Sequence, residues 1–543
     1  MLTPLDFEFF NSNERNPTLV CAVVDEQKYW LLDGSDSAAL IAKLRSVKNL
    51  TAYYAIAEAR CMQALGLEPF HDFEWIDLYA EFRMLQNSNN KFSYGSYIDK
   101  KGVRTFSSPP KNGDWDDDEE DEEDDEKHSK VLSNYVNAAF KLLGVTEDSG
   151  RKNKMRDIIL SKNVNLIQAN KEEILEYCHS DVRNLLPMYS QIKQEYYSLG
   201  LRNFEADMFK RGKYAAATAM CESEGISINY DLLKRIIAKT PEILHSGKKE
   251  VNHESQKLIN RDIFLEAYQK PDKVYKNGKL HRYKPEPPKK DTKAVQACIK
   301  SFNIVTWPKT DNEDESKKNF STTKKTLESY RHLHFVESLY KHNKLDSSLK
   351  WFSGKNSNGF FEAFSEIDNR VRPFYGIYGT QTGRNAAKAK TFPLAMSNWL
   401  RAIIRPPEGY VIIGADFSQQ EVAVAAWLSQ DKNLIDAYNS GDVYLAFAKM
   451  AGMIPQDATK ETHEAERDLC KSTVLGLQFG MGAELLQQKL TYDCKRIVSM
   501  EETLELINHH KTVFEAYWRW VYDLRLKYKN GVPILMPQWI LAR

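Results

Sequence analysis

The sequence predicts an α/β domain followed by a longer, mostly helical region that returns briefly to a strand, and three observations carry that expectation. Over the first 80 residues the strand-like runs PLDFEFF, TLVCAVV and FEWIDLY alternate with an alanine-rich helical stretch around Tyr53 to Leu65, the pattern of a mixed α/β layer. From Lys130 to about Tyr197, and again over 200–350, apolar residues recur at helical spacing. After Phe374, glycine-marked turns lead into YVIIGADFS, assigned here to a strand, and long helices follow.

At 543 residues the chain exceeds the size of one hydrophobic core, so two to four domains are expected. Residues 86–130 are polar, glycine-containing and acidic, and are expected to form a loop insertion with little structure. The N-terminus reaches Asp6 and Glu8 at once and lacks the apolar core of a signal peptide. With no long apolar stretch either, the expectation is an intracellular, cytoplasmic protein with no membrane partner. The seven cysteines are scattered without a CxxC pair and are read as reduced thiols.

Acidic and basic residues balance at 75 each, but the acidic residues of the uninterrupted run Asp116–Glu126 repel one another and stay solvated. Setting that run aside leaves a basic excess. Part of it lies between Lys270 and Lys293, where Tyr275 and Tyr283 interleave with the cations; this suits phosphate contacts, and equally a solvated loop.

Two constellations carry chemistry. Asp6 and Glu8 sit at i and i+2 of a strand-like run, so both side chains leave one face. Alone they are compatible with a solvated strand edge. Tyr177 and Asp181, in EYCHSDVRNLL, lie one helical turn apart. Carboxylates converging from such elements would hold two divalent cations, Mg²⁺ or Mn²⁺, for phosphodiester hydrolysis. In the second, YVIIGADFSQQEVAVAAWLS delivers Asp416 to the end of the expected strand, with Glu421 at the start of a helix. Downstream, RDLCKSTVLGLQFG spaces Arg467, Lys471, Leu475 and Phe479 at i+4 steps. An Arg and a Lys one turn apart can clamp phosphate oxygens, and the two apolar positions can meet a base or sugar. Either motif alone also fits a helix cap or an amphipathic surface helix.

Together these segments resemble the family A DNA polymerases of DNA polymerase I type. DFE and YCHSD resemble the first and third motifs of the DEDDy 3′→5′ exonuclease domain, an RNase H-like α/β fold; the DxSQxE and RxxxKxxxxGxxFG patterns resemble polymerase motifs A and B. Arg384 in QTGRNAAKAK, the segment RGKYAAATAMCESEGISIN, and WPKT with FSTTKKTLE add to the likeness. The resemblance implies an exonuclease over 1–198, a thumb with connecting helices over 199–372, a partial α+β palm over 373–430 and fingers over 431–543. It implies metal binding by Asp6, Glu8, Asp181 and Asp416, with two ions per active site, and water orientation by Tyr177. It also implies a triphosphate grip by Arg467 and Lys471 and exclusion of a ribose 2′-OH by Glu421. Tyr444 stands near the triphosphate where many relatives have histidine, Leu475 where they have Phe or Tyr, Phe479 beside the nucleotide, and Arg384 is a DNA contact.

Two departures stand out. Glu58 occupies the place of the second exonuclease aspartate, where a surface helix glutamate is the alternative; nearby Asp77 is given a structural role. The palm motif His-Asp-Glu is not found: of twelve histidines only His71 precedes an aspartate, and Phe73 comes next. The implied protein is a proofreading DNA polymerase of bacteriophage type acting on primer-template DNA and dNTPs, either a fragment or one part of a split enzyme whose palm a separate polypeptide completes. No motif identifies a processivity factor. A stand-alone exonuclease with a DNA-binding but synthesis-inactive polymerase region, and a non-catalytic replication scaffold, are the competing readings.

Overall fold

The apolar runs at the N-terminus fold as one mixed sheet. The computed structural model of the protein describes residues 1–543 except 12, 89–91, 93–94, 99–103, 108–133, 147–148, 265–272, 275–279, 282–289, 306, 311–317, 353–359, 381–382, 389–390, 495, 531–533, 537–538 and 542–543. The strands are β1 (Leu2–Phe10), β2 (Thr18–Val24), β3 (Gln27–Trp30), β4 (Asn49–Ala52) and β5 (Glu74–Asp77), in the order β3-β2-β1-β4-β5. β2 is antiparallel to β1 and β3, whereas β4 is parallel to β1 and β5. Asp6 stands opposite Val23 and Glu8 opposite Cys21, and the register slips just past Glu8. Such an irregularity re-aims a strand where a site is built.

The expected helix at Tyr53 to Leu65 is Ala55–Ala64. FEWIDLY is strand only as far as Asp77, because the Asp77 carboxylate turns the chain into the helix Leu78–Ser88: its Oδ1 accepts from the Tyr79 N–H at 3.0 Å and the Ala80 N–H at 3.5 Å. The expectation that 86–130 has little structure is corrected at Gly95–Ile98 and Arg104–Ser107, which pair as an antiparallel hairpin. The acidic run Asp116–Glu126 and most of the basic stretch after Lys270 lie outside the described residues.

The chain divides into two compact units, the first mainly Met1–Ile412 and the second Ile413–Ile534. In the first, the helix Glu205–Glu224 packs on β5 so closely that a Cβ on Gly212 would stand 2.0 Å from the Trp75 carbonyl oxygen. Beside it the buried Glu81 accepts from Arg211 Nε and Nη2, each at 2.7 Å, and from the Tyr196 hydroxyl at 2.7 Å. A buried carboxylate is tolerated when it is paired and hydrogen-bonded in this way. The same unit continues through long helices, including Tyr230–Ile259 and His334–Leu349, and a small sheet of Ile226–Ser227, Arg370–Val371 and Phe364–Ser365.

The second unit is helical. Gln420–Ser429, Lys432–Asn439, Val443–Met450, Glu464–Gln478 and Glu515–Lys529 enclose a core around Phe447, Val474, Phe514 and Tyr517. Asp431 ties it together: Oδ1 caps the helix Lys432–Asn439 through Leu434 N–H, and Oδ2 accepts from Tyr517 N–H, both at 2.9 Å. The strand expected at YVIIGADFS does not form. Residues 410–417 have no ladder partner among the described residues, and Ile413 and Phe417 are 85% and 78% exposed. A strand is stable only against neighbours that take up its main-chain hydrogen bonds.

Candidate functional site

In the first unit the structure brings Asp6, Glu8 and Asp181 together. The pleat of β1 sends Asp6 and Glu8 to one side, and the helix Lys171–Arg183, packed on β1 and β2, brings Asp181 over them. One oxygen from each carboxylate lies within 4.8 Å of the others. Tyr177, one turn before Asp181, borders the same cluster.

Crowding and burial govern the electrostatics. Desolvation, and then the Asp181 charge, push Asp6 up to about 8, opposed by a hydrogen bond from Cys178 and by Lys152. Glu8 is raised well above the ordinary carboxylate range by burial and by Asp6. The Cys178 thiol donates to Asp6 Oδ2 at 3.2 Å, and the Tyr135 hydroxyl donates to the Asp181 carbonyl oxygen at 2.9 Å.

Glu58 is not the surface glutamate that its helix position allows. It is 5% exposed, accepts a hydrogen bond from the Phe7 main chain, and is raised by burial and then by the charges of Asp6 and Glu8. Its Oε2 is buried without a hydrogen-bond partner. Asp77 has the expected structural place, with burial raising it to about 8.

Three hard oxygen donors this close, with a fourth carboxylate buried beside them, suit a divalent cation of the Mg²⁺ or Mn²⁺ type. The partnerless Glu58 oxygen is the feature that such a cation would satisfy.

In the second unit the helix Glu464–Gln478 presents Arg467, whose Nε donates to Asp442 Oδ2 at 2.6 Å while its guanidinium lies 5.5 Å from the centre of the Tyr444 ring. Burial raises the Tyr444 hydroxyl, and the charges of Asp442 and Glu421 also act on it. Lys471, Glu421 and Asp416 are exposed. The expected apolar stripe is only partly realised. Leu475 packs against the core of its own unit, and Phe479 lies one residue past the helix end, 63% exposed. Arg384 is exposed in the other unit, in a turn where its N–H donates to Thr380 Oγ1 at 2.8 Å.

Sequence reasoning missed Lys152, Cys178 and Asp442. Only Asp442 had a local signal, since an aspartate before a helix start is a cap, and it does cap Val443–Met450.

Residues 300–530 match the family model of DNA polymerase family A. The curated relatives that the chain matches include several DNA polymerases I. That of Aquifex aeolicus (strain VF5) is 29% identical over 211 residues, covering 38% of this chain and 34% of that protein. That of Helicobacter pylori (strain J99 / ATCC 700824) is 25% identical over 229 residues, covering 40% of this chain and 22% of that protein. The chain therefore matches about a third or less of their length. Among solved structures it is similar to the POL domain of Pol1 from M. smegmatis, a complex with DNA primer-template and dNTP. The TM-score is 0.61 at 16% identity, with 97% of this chain and 76% of that chain covered. That likeness concerns the fold. No helix of the described residues is long and apolar enough to cross a membrane.

Proposed function

We propose that this chain belongs to a template-directed DNA polymerase of bacteriophage type that proofreads, with a 3′→5′ exonuclease in the first 198 residues and nucleotidyl transfer centred on Asp416. Its partners are primer-template DNA and dNTPs in the cytoplasm, that of the host if the source is viral. The polymerase half is supported by the family match over 300–530. The exonuclease half is carried by the convergence of Asp6, Glu8 and Asp181, and the β3-β2-β1-β4-β5 mixed sheet supports an RNase H-like reading of that domain.

Divalent ions held by such carboxylates activate water and stabilise the leaving 3′-oxygen. The side chains do the rest. Asp6, Glu8 and Asp181 would hold the ions, with Glu58 a fourth carboxylate buried beside them, and Tyr177 would orient the attacking water. For synthesis, Arg467 and Lys471 take the triphosphate oxygens, with Asp442 and Tyr444 fixing the guanidinium; Glu421 excludes a ribose 2′-OH. Arg384 contacts DNA, and Leu475 and Phe479 lie beside the nucleotide. Asp416 would bind the polymerase metals together with a second palm carboxylate, supplied by a longer form of this chain or by a separate polypeptide.

The stand-alone exonuclease is a second reading, favoured by one contrast: the exonuclease carboxylates are assembled, whereas Asp416 sits in an exposed segment without a strand partner. One experiment tests both. Purified protein is given a 5′-labelled single strand, and separately a 5′-labelled primer on a template with dNTPs, each with and without Mg²⁺. Metal-dependent shortening without extension under any condition, including after addition of a palm-completing polypeptide, supports the second reading. No shortening at all removes the exonuclease.

A further inference from the structure

Lys152 reaches the carboxylate cluster from an element that none of the sequence motifs includes. It lies on the helix Ser149–Leu160, which packs against both β1 and the helix Lys171–Arg183. Its ammonium forms an ion pair with Asp181, and both side chains are mostly buried, at 13% and 14% exposed. Two rings fix its approach: Nζ lies 4.0 Å from the centre of the Tyr135 ring and 5.7 Å from that of Tyr177. Tyr135 is itself tied to the Asp181 main chain by its hydroxyl and accepts from Asn184 Nδ2 at 3.0 Å.

We infer that Lys152 is the resident counter-ion of the exonuclease centre: its ammonium holds Asp181 while no metal is bound and must give that carboxylate up when a divalent cation enters. The ammonium and the cation cannot share Asp181 without close like-charge contact, so each weakens the other's hold on it. A lysine suits this exchange because its compact charge sits on a flexible four-carbon stem and can withdraw without disturbing the helix. Lys152 thereby sets the metal concentration at which the centre becomes active. It is a positioning residue, acting through Asp181. The effect on DNA degradation rests on the exonuclease reading given above, whereas the effect on metal affinity does not.

A purely structural lysine and a competing one predict opposite signs. If Lys152 only props up the cluster, its removal weakens metal binding; if it competes, removal tightens it. The experiment is a calorimetric titration of Mn²⁺ into the full chain, for wild type, Lys152→Met, Lys152→Gln and Lys152→Arg. Folding is verified by circular dichroism, and Asp6→Ala with Glu8→Ala is the control that abolishes the site. The expected result is roughly tenfold tighter Mn²⁺ binding in the Met and Gln variants, the size of one charge removed at close range, and near wild-type binding in the Arg variant. The Mg²⁺ concentration for half-maximal degradation of a 3′-labelled single strand should fall by a similar factor. Unchanged or weaker Mn²⁺ binding in both folded neutral variants would overturn the inference. Tighter binding in a protein that never degrades DNA would leave the competition standing and remove the exonuclease reading instead.

Discussion

Asp442 holds the Arg467 guanidinium beside the ring of Tyr444, with Nε 2.6 Å from Oδ2 and the guanidinium carbon 5.5 Å from the ring centre. The same aspartate caps the helix that carries Tyr444, through the Tyr444 and Leu445 N–H groups. One residue thus fixes both the cation and the ring beneath it, and charge-assisted pairs of this kind specify orientation as well as charge.

That relationship predicts graded effects on nucleotide binding. Arg467→Ala should weaken dNTP binding in the presence of Mg²⁺ by about tenfold or more, about 1.4 kcal/mol. Asp442→Asn keeps the cap but loosens the guanidinium, and should cost less, about three- to fivefold. Fluorescence titration with each dNTP measures this. Tighter binding by Asp442→Asn would mean that the aspartate competes with the triphosphate instead of orienting the arginine.

Asp6→Ala combined with Glu8→Ala should abolish 3′→5′ degradation while leaving single-stranded DNA affinity within about twofold, because metal ligands act on the reaction more than on the DNA backbone. Gel-based degradation and anisotropy binding on the same preparations separate the two effects. Degradation at the wild-type rate would place the hydrolytic centre elsewhere.

The carboxylate cluster was largely legible in the sequence because alternation along a strand and i to i+4 spacing on a helix are local rules, and Asp6, Glu8, Tyr177 and Asp181 obey them. TLVCAVV is β2 residue for residue. β3 and β4 were not singled out: QKYW and NLTA are four residues each, too short for periodicity to rise above chance. Lys152 was invisible for a different reason. Its role comes from a tertiary contact across 29 residues, and nothing in RKNKMR distinguishes it from its basic neighbours. The strand expected at YVIIGADFS shows the converse error, since its apolar pattern states a preference that only neighbouring strands can realise.

Asp77 predicts a pH dependence of stability. Its carboxyl is raised from the ordinary 3.8 to about 8, chiefly by burial, against hydrogen bonds from the Ala80, Tyr79 and Ala55 main chain. Between those two values the native state keeps a proton that the unfolded chain has lost, so stability falls as pH rises through that window and levels off above it. Asp77→Asn retains an acceptor for the Tyr79 and Ala80 N–H groups without the charge. It should leave the melting temperature near pH 4 unchanged and raise stability at pH 8 by about 1–3 kcal/mol. Thermal melts across pH 4 to 9 check this; parallel curves for the two proteins would show that Asp77 is not the group responsible.

The last prediction concerns synthesis, and it starts from Asp416. Nucleotide addition by two metals needs carboxylates on both sides of the ions, and Asp416 lies in a segment with no strand partner among the described residues. From Asp493 onward the acidic residues are on helices, and several are already engaged. Asp493 accepts from Ser472 and pairs with Lys489, Glu502 pairs with Arg496, and Glu515 pairs with Arg519. Residues 1–543 alone should therefore degrade single strands yet extend a primer barely above background. Primer extension in the Asp6→Ala, Glu8→Ala background removes degradation from the readout. Adding a polypeptide that supplies a strand pair bearing a palm carboxylate should raise synthesis, and Asp416→Ala should abolish what is gained. Robust extension by the 543 residues alone, lost on Asp416→Ala, would show that the second carboxylate is one of the acidic residues assigned here to helix surfaces, with Glu501, Glu505 and Asp523 the first to substitute.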